Sequence, residues 1–249
     1  MTKTELWPHN ITPNRLAVLE RKLSILLPST VHNINKDLFF HYTSLAELQA
    51  LDPSIDLVNL QQLIDQVVNA EHDNFLELVK LANLDIKTDF IGARLLGINL
   101  IGLDLSGVNF TQVNLRGSEL CDADFSEANL SQANLAGADL SGVLLSDANL
   151  TQANLHLASL ALANLSGANL TEADLREVNL SQANLSKANL TNANLTKADL
   201  QGAGLLLTKL SGAILTDAKV TGARFIHDDG LSKEIKEYLL ERGAILTDN

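Results

Sequence analysis

Between Thr88 and Phe225 a large apolar residue recurs at every fifth position without a break. The series has 28 members, of which 23 are Leu, four are Phe and one is Val. The residue two positions before each member is Ala in 19 cases, and the residue between the two is Asn or Asp in 19 cases. We call these the large, small and central positions, and the two residues that follow the large one the first and second turn positions.

A period of five excludes a regular helix or a flat strand for this stretch. On a helix, five residues advance a side chain by about 140° net, so the large residues would spiral around every side. On a strand, an odd period would send successive large residues to opposite faces. Both difficulties disappear if the chain turns a corner in every unit, with the large and small residues inside. Eleven of the 14 glycines occupy the second turn position, where a corner needs permissive dihedral angles.

The unit, as in Ala128-Asn129-Leu130-Ser131-Gln132, resembles the pentapeptide-repeat proteins over roughly residues 88–225. The resemblance implies a mainly β fold, the right-handed quadrilateral β-helix, with four units in each coil. By that rule 28 units form about seven coils, stacked at ~4.8 Å. The Ala-Asn-Leu-rich pattern with a helical N-terminal domain is similar to that of cyanobacterial members of the family.

A shift in composition divides the chain into three parts. All four prolines lie in the first 53 residues. We therefore predict an α-helical domain over residues 1–86, the β-helix over residues 87–227, and a C-terminal capping helix and tail over residues 228–249. In the first part, helices are expected to begin at Thr12-Pro13, at Ser44, at Asp56 and at Asp73 or Asn74, with a helical turn over residues 35–41.

Both ends of such a solenoid expose core and backbone, so they need caps. Ile91, Leu96 and Ile101 stand in the first coil at positions that elsewhere hold Ser or Thr, which predicts contact with the helical domain. At the other end we expect a helix over residues 231–242, with Gly243 as its C-cap. Its inward residues are predicted to be Ile235, Leu239 and Leu240, and it is predicted to plug the last coil at three apolar residues, Leu206, Leu207 and Ile214.

Composition and motifs argue against several classes of function. The net charge of −12 opposes general binding to phosphate backbones, so no direct nucleic-acid contact is expected. Cys121 is the only cysteine, no apolar run approaches 18 residues, and the N-terminus lacks a signal-peptide core, so a cytoplasmic protein is expected without membrane contact. The spacing of Asp37 and His41 is a weak metal signal, and His72 is assigned to helix capping. We predict no catalytic residue, metal or cofactor.

One group of residues departs from the repeat. Seven acids fall within 44 residues, with Arg116 as the only base among them: Asp104, Glu119, Asp122, Asp124, Glu127, Asp139 and Asp147. On a four-sided coil they occupy two adjoining faces, with Leu144 and Leu162 beside them. Two interpretations stay open at this point, a docking surface for a basic partner and a solvated face that keeps the protein soluble.

The sequence and the family resemblance are compatible with two functions. The first is a non-enzymatic protein-interaction scaffold, monomeric or homodimeric, whose partner is a protein with a basic surface. The second comes from the family resemblance, because some members mimic B-form DNA, bind type II topoisomerases such as gyrase and confer fluoroquinolone resistance. The repeat here carries 13 acids against 8 bases, with the acids on one side.

Overall fold

The computed structural model describes residues 11–26, 56–226 and 230–247. The chain divides into two compact units, Met1–Asp89 and Phe90–Asn249. The helical turn predicted over residues 35–41 and the helix predicted from Ser44 lie outside the described residues. The three predicted domain boundaries stay predictions.

Three helices of the first unit are described, α1 (Pro13–Leu26), α2 (Leu57–Val68) and α3 (Phe75–Leu81). Each begins where the sequence predicts. The N–H of Arg15 donates to Thr12 Oγ1, and Asp56 Oδ1 accepts the first N–H groups of α2. Of the two candidates for α3, Asn74 is the cap. The helices bury one another's apolar faces, with Leu19, Leu23, Val67, Phe75 and Leu78 at most 1% exposed.

Asp73, the other candidate for the cap of α3, contacts the start of α1 instead. Its carboxylate accepts from Thr12 Oγ1 at 2.6 Å and lies 3.2 Å from Arg15 Nε. The Arg15 guanidinium also donates to the backbone carbonyls of Val68 and Ala70. The start of α1 is therefore clasped to the loop between α2 and α3.

The second unit is a solenoid in which one coil takes 20 residues. Parallel bridges join each central residue to the one 20 positions later, from Arg94 with Asn114 to Asp199 with Lys219. Twenty residues are four units, so the cross-section has four sides. The prediction of about seven coils rests on this step, and the count itself stays a prediction.

The unit of residues 110–114 shows how the backbone is satisfied. Phe110 and Gln112 donate their N–H groups to the next coil, Asn114 donates to the previous coil, and the N–H of Val113 closes the turn on the carbonyl of Phe110. The remaining N–H, that of Thr111, points at neither coil and donates to Asn109 Oδ1 at 3.2 Å. All 18 Asn and Asp residues at central positions from 99 to 199 make this contact to the residue two positions on.

The corners depend on a left-handed residue. All 27 second turn positions from 92 to 222 have a positive φ, and 11 of them are glycine. With the turn bond from the small residue to the preceding large residue, this is the arrangement of a type II turn. The other 16 corners are not glycine and bear the steric cost of the left-handed region.

The interior contains the predicted residues. Each of the 28 large residues is at most 5% exposed. At the small position Ser118 and Thr208 replace Ala and are 1% exposed, and their hydroxyls donate to the carbonyls of Leu95 and Leu185 at 2.9 and 2.7 Å. A hydroxyl inside this core is therefore tolerated because it finds a backbone acceptor.

The C-terminal segment closes the solenoid with a helix and a strand. Two short strands, β1 (Gly204–Leu205) and β2 (Arg224–Ile226), pair in parallel, and after helix α4 (Lys233–Glu241) a third strand, β3 (Ile245–Thr247), pairs in parallel with β2. The helix ends before Gly243, whose φ is +86°. The sequence prediction missed β3, which extends the ladder on one side by a further rung.

The predicted seat of this helix was wrong in two respects. Leu240, expected inside, is 48% exposed, whereas Leu239 is buried. The three residues that it was expected to cover are still 37%, 55% and 47% exposed, namely Leu206, Leu207 and Ile214. Instead, Tyr238 Oη accepts the N–H of Asp217 and the carbonyl of Arg242 accepts from Thr221 Oγ1, because β3 draws the end of the helix towards the last turns.

The inward assignment predicts the effect of a charge in the core. Leu150→Asp should unfold the adjacent coils, because it loses about 1.5–3 kcal/mol of apolar burial and buries an unpaired carboxylate. Thermal unfolding by circular dichroism measures the loss. Asn149→Asp is the matched control, because it adds the same charge one residue away and keeps the oxygen that accepts the N–H of Thr151. A Leu150→Asp variant that melts with the parent would contradict the assignment.

Candidate interaction surface

Two neighbouring sides of the solenoid carry most of the acidic group. We call one the Glu119 side, whose central residues begin with Asn99, Glu119, Asp139 and Ser159 in successive coils. We call the other, which follows it along the chain, the Asp124 side, with central residues Asp104, Asp124, Leu144 and Asn164. The backbone bridges place each residue directly beside the next in its series.

The remaining acids lie at the corners of the Asp124 side. Asp122 stands at the corner between the two sides, and Glu127 and Asp147 occupy successive coils at the corner where the Asp124 side ends. All three have φ between 57° and 59°. The seven acids therefore occupy two adjoining sides and their corners; we refer to them as the acidic surface. Arg116 lies in the turn before the Glu119 side.

The three central aspartates of this surface make the same backbone contact that asparagine makes in other coils. Oδ1 of Asp104, Asp124 and Asp139 accepts the N–H two residues on, at 3.0, 2.8 and 3.1 Å. The hydroxyl and the N–H of Ser141 both donate to Asp139 and hold the pKa of that carboxyl below its ordinary value. Because Asn99 and Asn164 make the same contact in other coils of these two sides, the negative charge is not needed for that contact.

Like charges are stacked on this surface. The bridges set Asp104 opposite Asp124 and Glu119 opposite Asp139. Carboxylates directly opposite each other in a ladder destabilise it. On another corner the same 20-residue spacing stacks neutral amides, and Gln112, Gln132 and Gln152 donate in sequence along the column at 2.7, 3.0 and 2.8 Å, ending on Glu172. The stacked acids are thus a choice of side chain that the fold does not require.

Exposed leucines lie beside the acids. Leu144, predicted from the sequence, is 41% exposed, and Leu162 is 70% exposed. The structure adds Leu157, which is 58% exposed at the other corner of the Glu119 side in the same coil as Leu162. The sequence signal for Leu157 is a leucine at a second turn position, where most units have glycine or a polar residue.

Other candidate residues have simpler surroundings. Ile91 and Ile101 are 42% and 46% exposed, and Leu96 is half-buried; their contact with the helical domain stays a prediction. The Sγ of Cys121 lies 4.0 Å from the carbonyl oxygen of Asp139, and burial is the main cause that raises its pKa. Within residues 11–26, 56–226 and 230–247, no group of His, Cys, Asp and Glu is arranged to hold a metal ion. None of the helices in these ranges has the length and apolarity of a membrane span.

The repeat identifies the family. The family model for pentapeptide repeats matches residues 86–117, 123–161, 163–202 and 188–226 in eight copies. These ranges cover more than half of the chain, so the protein belongs to the pentapeptide-repeat family, and its solenoid is the right-handed quadrilateral β-helix of that family. No catalytic arrangement is found among the described residues, and pentapeptide-repeat proteins are generally non-enzymatic. No curated protein matches this chain.

Solved structures of the same family are similar to this chain, with TM-scores below 0.5. HetL, a protein of heterocyst differentiation regulation from the cyanobacterium Nostoc sp. strain PCC 7120, is 27% identical over 61% of this chain and 97% of its own, with a TM-score of 0.31. A second Nostoc pentapeptide-repeat protein is 33% identical over 50% of this chain and 84% of its own, with a TM-score of 0.25. Trypsin-treated QnrB1, a plasmid-mediated fluoroquinolone resistance protein, is 18% identical over 67% and 86%, with a TM-score of 0.48.

Neutralising one of the stacked carboxylates is expected to stabilise the protein. Asp124→Asn should raise the free energy of unfolding by about 0.2–1 kcal/mol, because it removes the repulsion of Asp104 and keeps the contact to Ser126. The gain should shrink at high salt, which screens the repulsion. Thermal unfolding at low and high ionic strength measures both.

Asp199→Asn is the control, and its expected sign is opposite. Asp199 makes the same backbone contact, to Gln201, but lies opposite Lys219 and pairs with its Nζ at 3.4 Å. Loss of that exposed pair should leave stability unchanged or slightly lower. Equal effects of the two substitutions would show that the stacked carboxylates do not repel one another measurably.

Proposed function

We propose that this protein is a non-enzymatic interaction scaffold and that the acidic surface binds a protein with a basic surface. The observation that supports this is the stacking of Asp104 on Asp124 and of Glu119 on Asp139. Asn at positions 104, 124 and 139 would keep the backbone contact without the repulsion, so the charge of these three aspartates has a cost that the fold does not require. Glu119 instead accepts a hydrogen bond from Asn99 Nδ2 at 2.9 Å. A basic partner would turn that cost into attraction and faster association.

The solenoid suits such a role because its sides are regular. Every coil presents a central residue at the same point, and the backbone of each side is fixed by the ladder and by the side-chain contact to the first turn position. A partner therefore meets a rigid surface and loses little binding free energy to ordering it.

The distribution of charge favours a protein partner over DNA mimicry. A mimic of duplex DNA needs negative charge along its length, since DNA carries one charge about every 1.7 Å. Here the acidic surface ends at residue 147, and the later coils carry several bases: Arg176, Lys187, Lys197, Lys209, Lys219 and Arg224. Gyrase protection by DNA mimicry is therefore the alternative function.

The test uses substitutions that remove charge and keep the turns. In the triple variant Asp104→Asn, Asp124→Asn and Asp139→Asn, each amide oxygen takes the place of the carboxylate oxygen in its turn. We expect the partners recovered by quantitative pull-down from native lysate to be lost. The matched control, Glu172→Gln, Glu177→Gln and Asp217→Asn, removes three charges from later coils, outside the acidic surface, and should retain them.

Two results would contradict the proposal. If the triple variant recovers the same proteins as the parent, the acidic surface has no docking role. If the parent inhibits gyrase supercoiling or protects gyrase from ciprofloxacin, and the triple variant does not, the surface binds a topoisomerase as a DNA mimic.

A further inference from the structure

We propose that the Glu119 side is a seat for one amphipathic helix of a partner, with basic residues on two successive turns and a large apolar residue on the third. This inference rests on the proposed function and names the shape and the chemistry of the partner. It is carried by an apolar cleft in the middle of this side, in the coil of Ser159, and by the charge in the two coils before it.

The cleft lies in the coil of Ser159. Leu157 and Leu162 stand at the two corners of this coil, 58% and 70% exposed, with the small Ser159 between them as the central residue. The Ser159 hydroxyl lies 2.9 Å from that of Ser141 in the neighbouring coil. Two large side chains therefore flank a low floor, which is the form of a pocket for a third apolar side chain.

The fold does not need leucine at either corner. Both residues have a positive φ, 60° at Leu157 and 62° at Leu162, a conformation that glycine adopts without cost. In the neighbouring coil the equivalent corners are Gly137 and Gly142. Two strained leucines with most of their surface in solvent thus contribute little to the core, and their exposure favours contact with another molecule.

The charge beside the cleft identifies what binds there. One coil away the floor is Asp139, between Gly137 and Gly142, and two coils away it is Glu119, with Asp122 at its corner. Asp139 is exposed: the Gly137 corner beside it is open, and the Asp122 carboxylate lies over the Gly142 corner and adds a second negative charge there. The seat therefore runs from acid to acid to apolar cleft along the solenoid axis, and its complement runs from base to base to a large apolar side chain.

The repeat distance selects a helix over an extended segment. Coils of the ladder follow each other at ~4.8 Å, and one turn of an α-helix rises 5.4 Å, so side chains at i, i+3 or i+4, and i+7 follow three coils closely. In a strand, side chains on one face are about 6.7 Å apart, so the third would overshoot by nearly a coil. A helix along the axis matches all three contacts together.

The experiment uses a synthetic probe. A stapled, alanine-based helix of about 18 residues carries Arg at i and i+3 and Leu at i+7, with a fluorescent label. A second stapled peptide has the same composition, with the same three residues moved to different faces. Fluorescence anisotropy against the full-length protein gives the affinity of each, and the first peptide is expected to bind at least about tenfold more tightly.

Two variants of the protein complete the test. Leu157→Gly with Leu162→Gly removes the cleft, and glycine at neighbouring coils shows that the corners accept it; this variant should weaken the first peptide about tenfold or more. Glu119→Gln with Asp139→Asn should weaken it and reduce the dependence of affinity on salt. Thermal unfolding of both variants confirms that they are folded.

The outcomes separate this inference from the proposed function. Equal binding of the two peptides, unchanged affinity in the leucine variant, or no binding of the first peptide would each overturn the helix seat. If neutralising the acids still removes the partners from the pull-down, the docking function stands without it. If neither the leucines nor the acids affect the pull-down or the peptides, both proposals fail.

Discussion

The solenoid depends on one hydrogen bond that its ladder cannot make. In an inner five-residue unit, three N–H groups reach a neighbouring coil and one closes the turn, as at Phe110, Gln112, Asn114 and Val113. The first turn residue is left over, and the Asn or Asp two residues earlier accepts its N–H. A buried or half-buried N–H without an acceptor costs about 1–3 kcal/mol. The repeated Asn and Asp are therefore part of the backbone's own hydrogen bonding.

This bond also explains how charge can vary on a fixed scaffold. One oxygen is enough for the contact, so Asn and Asp are equivalent to the backbone and differ only in what they present to solvent. On the other two sides the residue is mostly Asn. On the Glu119 and Asp124 sides the early coils carry acids, stacked at ladder spacing against the preference of the fold. Corner residues vary in the same way, since glycine, glutamine and leucine all take the left-handed conformation.

The sequence predicted what periodicity determines. The period of five established the inward residues and the corners, and the resemblance to the family supplied the four-sided coil. The four-sided coil predicted from the sequence places the acids on two adjoining sides, as the structure does. Their role is a proposal. It did not predict β3 or the exposure of Leu240, because the C-terminal segment has no period and its position depends on contacts such as Tyr238 with Asp217. Leu157 was missed because its importance comes from Leu162, five residues away in sequence and across one side of the coil.

Amide hydrogen exchange, resolved by residue, tests the role of the central side chain most directly. Ser126, Ser131 and Thr151 each donate their N–H to an Asp or Asn oxygen. Ser146 and Thr216 follow the aliphatic residues Leu144 and Ile214, which offer no oxygen. We predict that the N–H groups of Ser146 and Thr216 exchange at least about tenfold faster than the other three. Equal protection at all five would show that the central Asn and Asp do not complete the backbone hydrogen bonding.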